Sequence, residues 1–179
     1  MRTIAAALAL AMALATAEAV ADDVALEYRV KAAYLLNFTR FIEWPADQAD
    51  TGPVTICVAG ANPFGTVLDE TLRDEQVGAR TIRSRPAREG ERCHVLFIPA
   101  GVQADAYLKT PRRPVLTVGE SPDFLRRGGI VNFVIESGKV RFEINPEAAE
   151  RAGLRISSRL MRLARPPTES TKLDPGARR

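Results

Sequence analysis

Short apolar strands alternating with amphipathic helices, then one hairpin, predict an α/β fold. It is a single-domain sandwich with a mostly parallel sheet, an antiparallel C-terminal hairpin and helices on both faces. Three observations carry this. Val54 to Ala59 and His94 to Ile98 are nearly unbroken apolar runs, as strands covered on both faces require. Helical periodicity fills intervals around them. Ile130 to Ile135 and Lys139 to Ile144 alternate about Ser137-Gly138, a two-residue turn carrying a glycine.

The elements follow in order. Val24 to Trp44 reads as the first helix: Leu26, Val30, Tyr34, Phe38 and Ile42 recur every fourth position, with Arg29, Lys31, Arg40 and Glu43 between them. Pro45 ends it. An aromatic stripe at this spacing is a core face before it is a ring-binding site. After the strand at Val54, Asn62 is an N-cap candidate and Pro63 suits a first helical position, so a helix is expected through Leu72. Strands are expected over Thr81 to Arg85 and Val115 to Val118, a short helix over Val102 to Lys109, and one helical turn over Pro122 to Arg127. Phe133 and Ile135 alternate with Asn132 and Val134, and Val140, Phe142 and Ile144 with Arg141 and Glu143. Helices from Pro146 to Ala152, ended by Gly153, and from Ser157 to Ala164 close the domain.

The opening of the chain reads as a secretory signal over residues 1–21. Arg2 precedes the apolar run Ile4 to Ala15, and Ala17-Glu18-Ala19 and Ala19-Val20-Ala21 both satisfy the small-x-small cleavage rule. A retained anchor is the alternative, but the run falls short of the roughly 20 residues a span needs. No cysteine follows it, as a lipoprotein signal would require. Export therefore leaves about 160 residues, enough for one domain with an ordinary core. The domain is expected over residues 22–164. Residues 165–179, with Pro166-Pro167, Ser, Thr, Gly and charges, lack an apolar period and read as a disordered tail.

Composition is that of a globular protein: 46% hydrophobic, 26% charged, net charge +3. Most arginines are scattered among acids instead of lining one stripe, so nothing points to nucleic acid.

Cys57 and Cys93 are the only two cysteines, each at an apolar strand. An oxidising compartment favours a disulfide between them; two separate buried thiols are the alternative. Whether a bridge would be a staple or a redox switch stays open. Cys93 and His94 are adjacent on a strand and point to opposite faces, which argues against a shared metal ligand set or a thiol–imidazole pair. His94 is the only histidine, and a structural zinc site lacks its four ligands. Gly60-Ala61-Asn62-Pro63 follows a strand and opens a helix, but it carries neither dinucleotide-binding glycines nor a P-loop lysine. Arg155, Ser157 and Arg159 form a candidate ligand-binding group, able to donate several hydrogen bonds to a carboxylate or phosphate. Alternatively Ser157 caps the last helix and both arginines sit in solvent. No carboxylate pair, nucleophile–base pair or cofactor loop stands out, so no catalytic residue, metal or cofactor is assigned.

Several segments resemble the YfiR family of exported bacterial proteins. They are Val30-Lys31-Ala32-Ala33-Tyr34-Leu35-Leu36-Asn37-Phe38 with Phe41-Ile42-Glu43-Trp44-Pro45, Cys93-His94-Val95-Leu96-Phe97-Ile98, Gly128-Gly129-Ile130-Val131-Asn132-Phe133, Val140-Arg141-Phe142-Glu143-Ile144-Asn145, and Ala152-Gly153-Leu154-Arg155-Ile156-Ser157-Ser158-Arg159-Leu160. The resemblance implies a periplasmic α/β protein, often a homodimer. It implies repression of a membrane diguanylate cyclase through the cyclase's periplasmic sensor region, with an outer-membrane lipoprotein sequestering the repressor. Cys57 and Cys93 match the positions of one family disulfide. A second family disulfide has no counterpart here, and Pro146 replaces the usual apolar residue. Because the wider family also occurs beside sensor histidine kinases, a small-ligand sensor feeding such a receptor is the alternative.

Overall fold

The computed structural model describes residues 23–45, 52–88, 92–108 and 114–167. The expected signal, residues 1–21, and the tail beyond Pro167 lie outside the described residues.

Helix α1 (residues 23–41) buries Ala32, Leu35, Leu36 and Phe38, while Leu26, read as part of its core stripe, is 58% exposed. Lys31, read as lying between core positions, is buried. The helix ends at Phe41, short of the expected Trp44. Ile42–Glu43 instead form β1, which pairs antiparallel with β9 (Arg155–Ile156). Ser157 N–H donates to the Phe41 carbonyl at 3.0 Å. Trp44 precedes proline and is biased away from helix, and the long-range pairing takes the two residues before it.

The main sheet has seven strands in the spatial order β3 (Gln76–Val77), β4 (Arg80–Pro86), β2 (Val54–Val58), β5 (Val95–Ile98), β6 (Leu116–Gly119), β7 (Val131–Glu136) and β8 (Lys139–Ile144). From β4 to β7 all neighbours are parallel; β3 and β8 are antiparallel edges. Taken in chain order, the parallel strands run second, first, third, fourth, fifth, the doubly wound arrangement in which ligands meet the carboxyl ends of the strands. Alternation along the strands separates two faces. Ile56, Val58, Val95, Phe97, Leu116 and Val118 pack in the cluster that includes α1, and Cys57, Ala59, Leu96 and Ile98 in a second cluster with Ala104, Phe124 and Leu125.

Helix α2 (Val67–Leu72) starts later than Pro63, where it was expected. Asn62 Oδ1 accepts from Phe64 N–H at 2.9 Å and Asn62 Nδ2 donates to the Gly65 carbonyl at 3.1 Å, closing a turn. Gly65 at φ +55° cannot continue a helix. A short α3 (Asp105–Leu108) follows β5. Helix α4 (Pro146–Arg151) is capped by Asn145, which accepts from Ala148 N–H, and ends at Gly153 with φ +71°. Helix α5 (Ser158–Leu163) is capped by Ser157.

The hairpin departs from simple alternation. Asn132 and Glu143 are buried, whereas Ile135 is 52% exposed. Arg165, assigned to the tail by composition, accounts for part of this: its N–H donates to the Phe142 carbonyl at 2.9 Å, and its guanidinium pairs with Glu143 and Glu136. Among the described residues no helix is long and apolar enough to cross a membrane.

Candidate functional site

The carboxyl ends of β5 and β6 meet the first turns of α1. Lys31 reaches down from the helix to Glu120, the residue after β6, and also pairs with Glu27 one turn earlier. Its ammonium lies 4.5 Å from the centroid of the Tyr28 ring and 6.0 Å from that of Phe133. Tyr28 O–H donates to Glu120 Oε1 at 3.1 Å, and the Ala100 N–H donates to the same oxygen at 2.8 Å. Glu120 thus receives three donors, a lysine and a phenol from α1 and a backbone amide from the turn after β5. Burial, the Glu120 charge and hydrogen bond, and the Glu27 charge hold the Tyr28 phenol far above its ordinary range.

A cavity of about 500 Å³ opens beside this cluster, lined by Glu27, Tyr28, Lys31 and Glu120 on one side and by residues 132–135 of β7 on the other. Its two carboxylates outnumber its one ammonium. Lys31 is occupied by ion pairs, and Glu120 is committed to three donors.

The structure bonds Cys57 to Cys93, with Cα atoms 5.7 Å apart, on the sheet face opposite α1. Arg155 is exposed on β9 and lines a second cavity of about 370 Å³ with Glu43, Trp44, Pro45 and Gly153. Ser157 Oγ accepts from Leu160 N–H at 3.2 Å, the capping geometry. Arg159 lies with its guanidinium 5.6 Å from the Phe41 ring centroid, and neither it nor Ser157 lines that cavity. His94 sits between strands. Its Nδ1 accepts from Thr55 N–H at 3.0 Å, and Arg80 Nη2 lies 2.9 Å from Nε2. No group of three or more potential metal ligands occurs among the described residues.

Sequence reasoning missed Lys31, Glu120 and Tyr28 as a group. Its one local signal was a lysine inside the otherwise apolar segment Val30 to Leu36 that reads as helix. The remaining information is long-range, because 89 positions separate Lys31 from Glu120.

A family model described as YfiR/HmsC-like matches residues 28–165, which is most of the chain. No curated protein matches it.

Proposed function

The chain belongs to the YfiR/HmsC-like family, and on that premise we propose that it is a periplasmic repressor that lowers cyclic di-GMP by binding the periplasmic sensor region of a membrane diguanylate cyclase. The observation that carries this is the extent of the family match, from α1 to Arg165. The family is regulatory rather than catalytic, and the Lys31 cluster, engaged in ion pairs and hydrogen bonds, fits contact better than turnover. Repression works by mass action: the bound protein shifts the cyclase toward its inactive state only by its differential affinity for that state. A homodimer, and capture by an outer-membrane lipoprotein, belong to the same proposal.

The test is intracellular cyclic di-GMP after deletion of the gene, with and without complementation. A rise on deletion, reversed by the intact gene, is the expected result. No change in cells that express the protein would overturn the cyclase reading. A second reading, a small-ligand sensor for a histidine kinase, draws on the cavity at Arg155; ligand-induced thermal stabilisation that is lost in Arg155→Ala would support it.

A further inference from the structure

The larger cavity has an unusual wall. Asn132, Phe133, Val134 and Ile135 all line it, although successive side chains on a strand point to opposite faces. Only an opening against the edge of the strand meets four consecutive residues. The topology supplies that edge. β6 pairs with β7 at Val118↔Val131 and Gly119↔Asn132 and goes no further, while β7 continues against β8 as far as Glu136↔Lys139. Beyond Gly119 the position beside β7 is therefore open on the side where β6 would have run.

The backbone groups facing that opening can be assigned. Asn145 N–H donates to the Ile130 carbonyl at 2.8 Å, so this pair belongs to the hydrogen-bonded set of the antiparallel ladder. Alternation then turns the backbone groups of Asn132, Val134 and Glu136 toward β8; on the other side the Phe133 N–H serves the Gly119↔Asn132 pairing, and the Phe133 carbonyl with both groups of Ile135 faces the opening. The Ile135 N–H and carbonyl lie past the last β6 pairing. By contrast, the outer edge of β8 is partly covered, since Arg165 hydrogen-bonds to Phe142 there. Charge completes the picture. Glu27 and Glu120 outnumber Lys31, and Glu27 keeps 30% exposure with only one oxygen engaged by Lys31.

We propose that this notch is a strand-addition site: an extended segment of a partner protein lies along β7 in place of the missing half of β6, with a basic side chain paired to Glu27. At ~3.3 Å per residue, the open stretch of β7 holds about four residues of such a segment. Main-chain hydrogen bonds would supply affinity and the carboxylate would select the sequence. The inference rests on the reading of this protein as one that acts by contact, though not on the partner being a cyclase.

The experiment uses the purified exported protein and the peptide acetyl-Val-Lys-Val-Lys-Val, joined at its carboxyl end through a Gly-Gly linker to a fluorophore and followed by anisotropy. A second peptide carries glutamate for lysine. Saturable binding of the basic peptide is expected, with slowed exchange of the Ile135 amide. The acidic peptide should bind at least about tenfold more weakly, as should the basic one to Glu27→Lys and to Ile135→Pro. Ile135→Pro removes an N–H that does not serve the β7–β8 ladder; if it fails to fold, Glu27→Lys and the exchange measurement still decide. Strand addition is overturned by absence of saturation at millimolar peptide, by equal binding of both peptides, or by equal competition from N-acetyl-lysine methylamide. Failure here with cyclic di-GMP still rising on deletion would sink the notch and spare the repressor. The reverse pattern would sink the cyclase partner and spare the notch.

Discussion

On one face of the sheet, Phe38, Phe97, Phe133 and Phe142 pack in the same cluster as α1, with Phe38 fully buried and its ring 5.2 Å from Phe142 and 5.9 Å from Phe133. On the other, Cys57, Leu96 and Ile98 lie under the four-residue α3 and the turns around Phe124 and Leu125. A long helix satisfies its own backbone and brings a continuous apolar stripe to the sheet. Turns do neither, and ordering them costs more entropy per buried side chain. The second face is where the Cys57–Cys93 bond and a tightly seated Phe124 occur. Where secondary structure among the described residues gives little cover, a covalent link and one clamped ring hold the face.

Substitutions on each face can break that contrast. Phe38→Ala, which opens the aromatic cluster, should cost about 3–5 kcal/mol, read from urea unfolding as a lower midpoint at unchanged slope. A loss below about 1 kcal/mol would mean that α1 does not anchor its face. Replacing both cysteines by alanine should cost about 3–4 kcal/mol in the chain-entropy picture, with native circular dichroism retained. Loss of native structure at all denaturant concentrations would instead show that the bond shapes the folded state directly.

A smaller effect sharpens the account of the second face. Phe124 is seated against Gly119 and Gly129, and a Cβ on either glycine would overlap its ring. Gly129→Ala should cost about 1–3 kcal/mol. Pairing it with Phe124→Leu should return part of that loss, since the smaller side chain vacates the space. A double variant no better than the single one would assign the cost to backbone instead of to the ring.

Much of this fold was legible because its strongest elements are local. The apolar runs at Val54 and Val95, the Ser137-Gly138 turn, the helix opening at Pro146 and the cap at Ser157 each depend on neighbours in sequence. What escaped was set by distant partners. β1, β3 and β9 are two residues each, and Ile42 becomes a strand only because Ile156 lies opposite. Asn132 and Glu143 looked outward-facing by alternation, yet both are buried, with Arg165 paired to Glu143. The candidate site was hidden for the same reason. Periodicity treats Lys31 as a polar position, whereas Glu120, supplied by the end of β6, lets it be buried with its charge paired.

That burial makes the last prediction, the smallest in energy at neutral pH. Tyr28 donates to Glu120 beside Glu27, and burial together with both negative charges opposes loss of its proton. Its folded value is raised above the ordinary 10.0, so its contribution to stability is complete below about pH 10 and is lost as the pH climbs toward the folded value. The sign follows from proton binding: in that alkaline window the unfolded chain has released the phenolic proton and the folded chain still holds it. Phenolate absorbance followed through an alkaline titration should therefore show a tyrosine in the wild type that ionises only as the protein unfolds, and Tyr28→Phe should remove it. The variant should also lose less stability than the wild type between neutral and strongly alkaline pH. Ordinary ionisation of Tyr28 in the folded protein would mean that water reaches the Glu120 cluster, and that the α1 face is less closed at the carboxyl end of β6 than its aromatic centre.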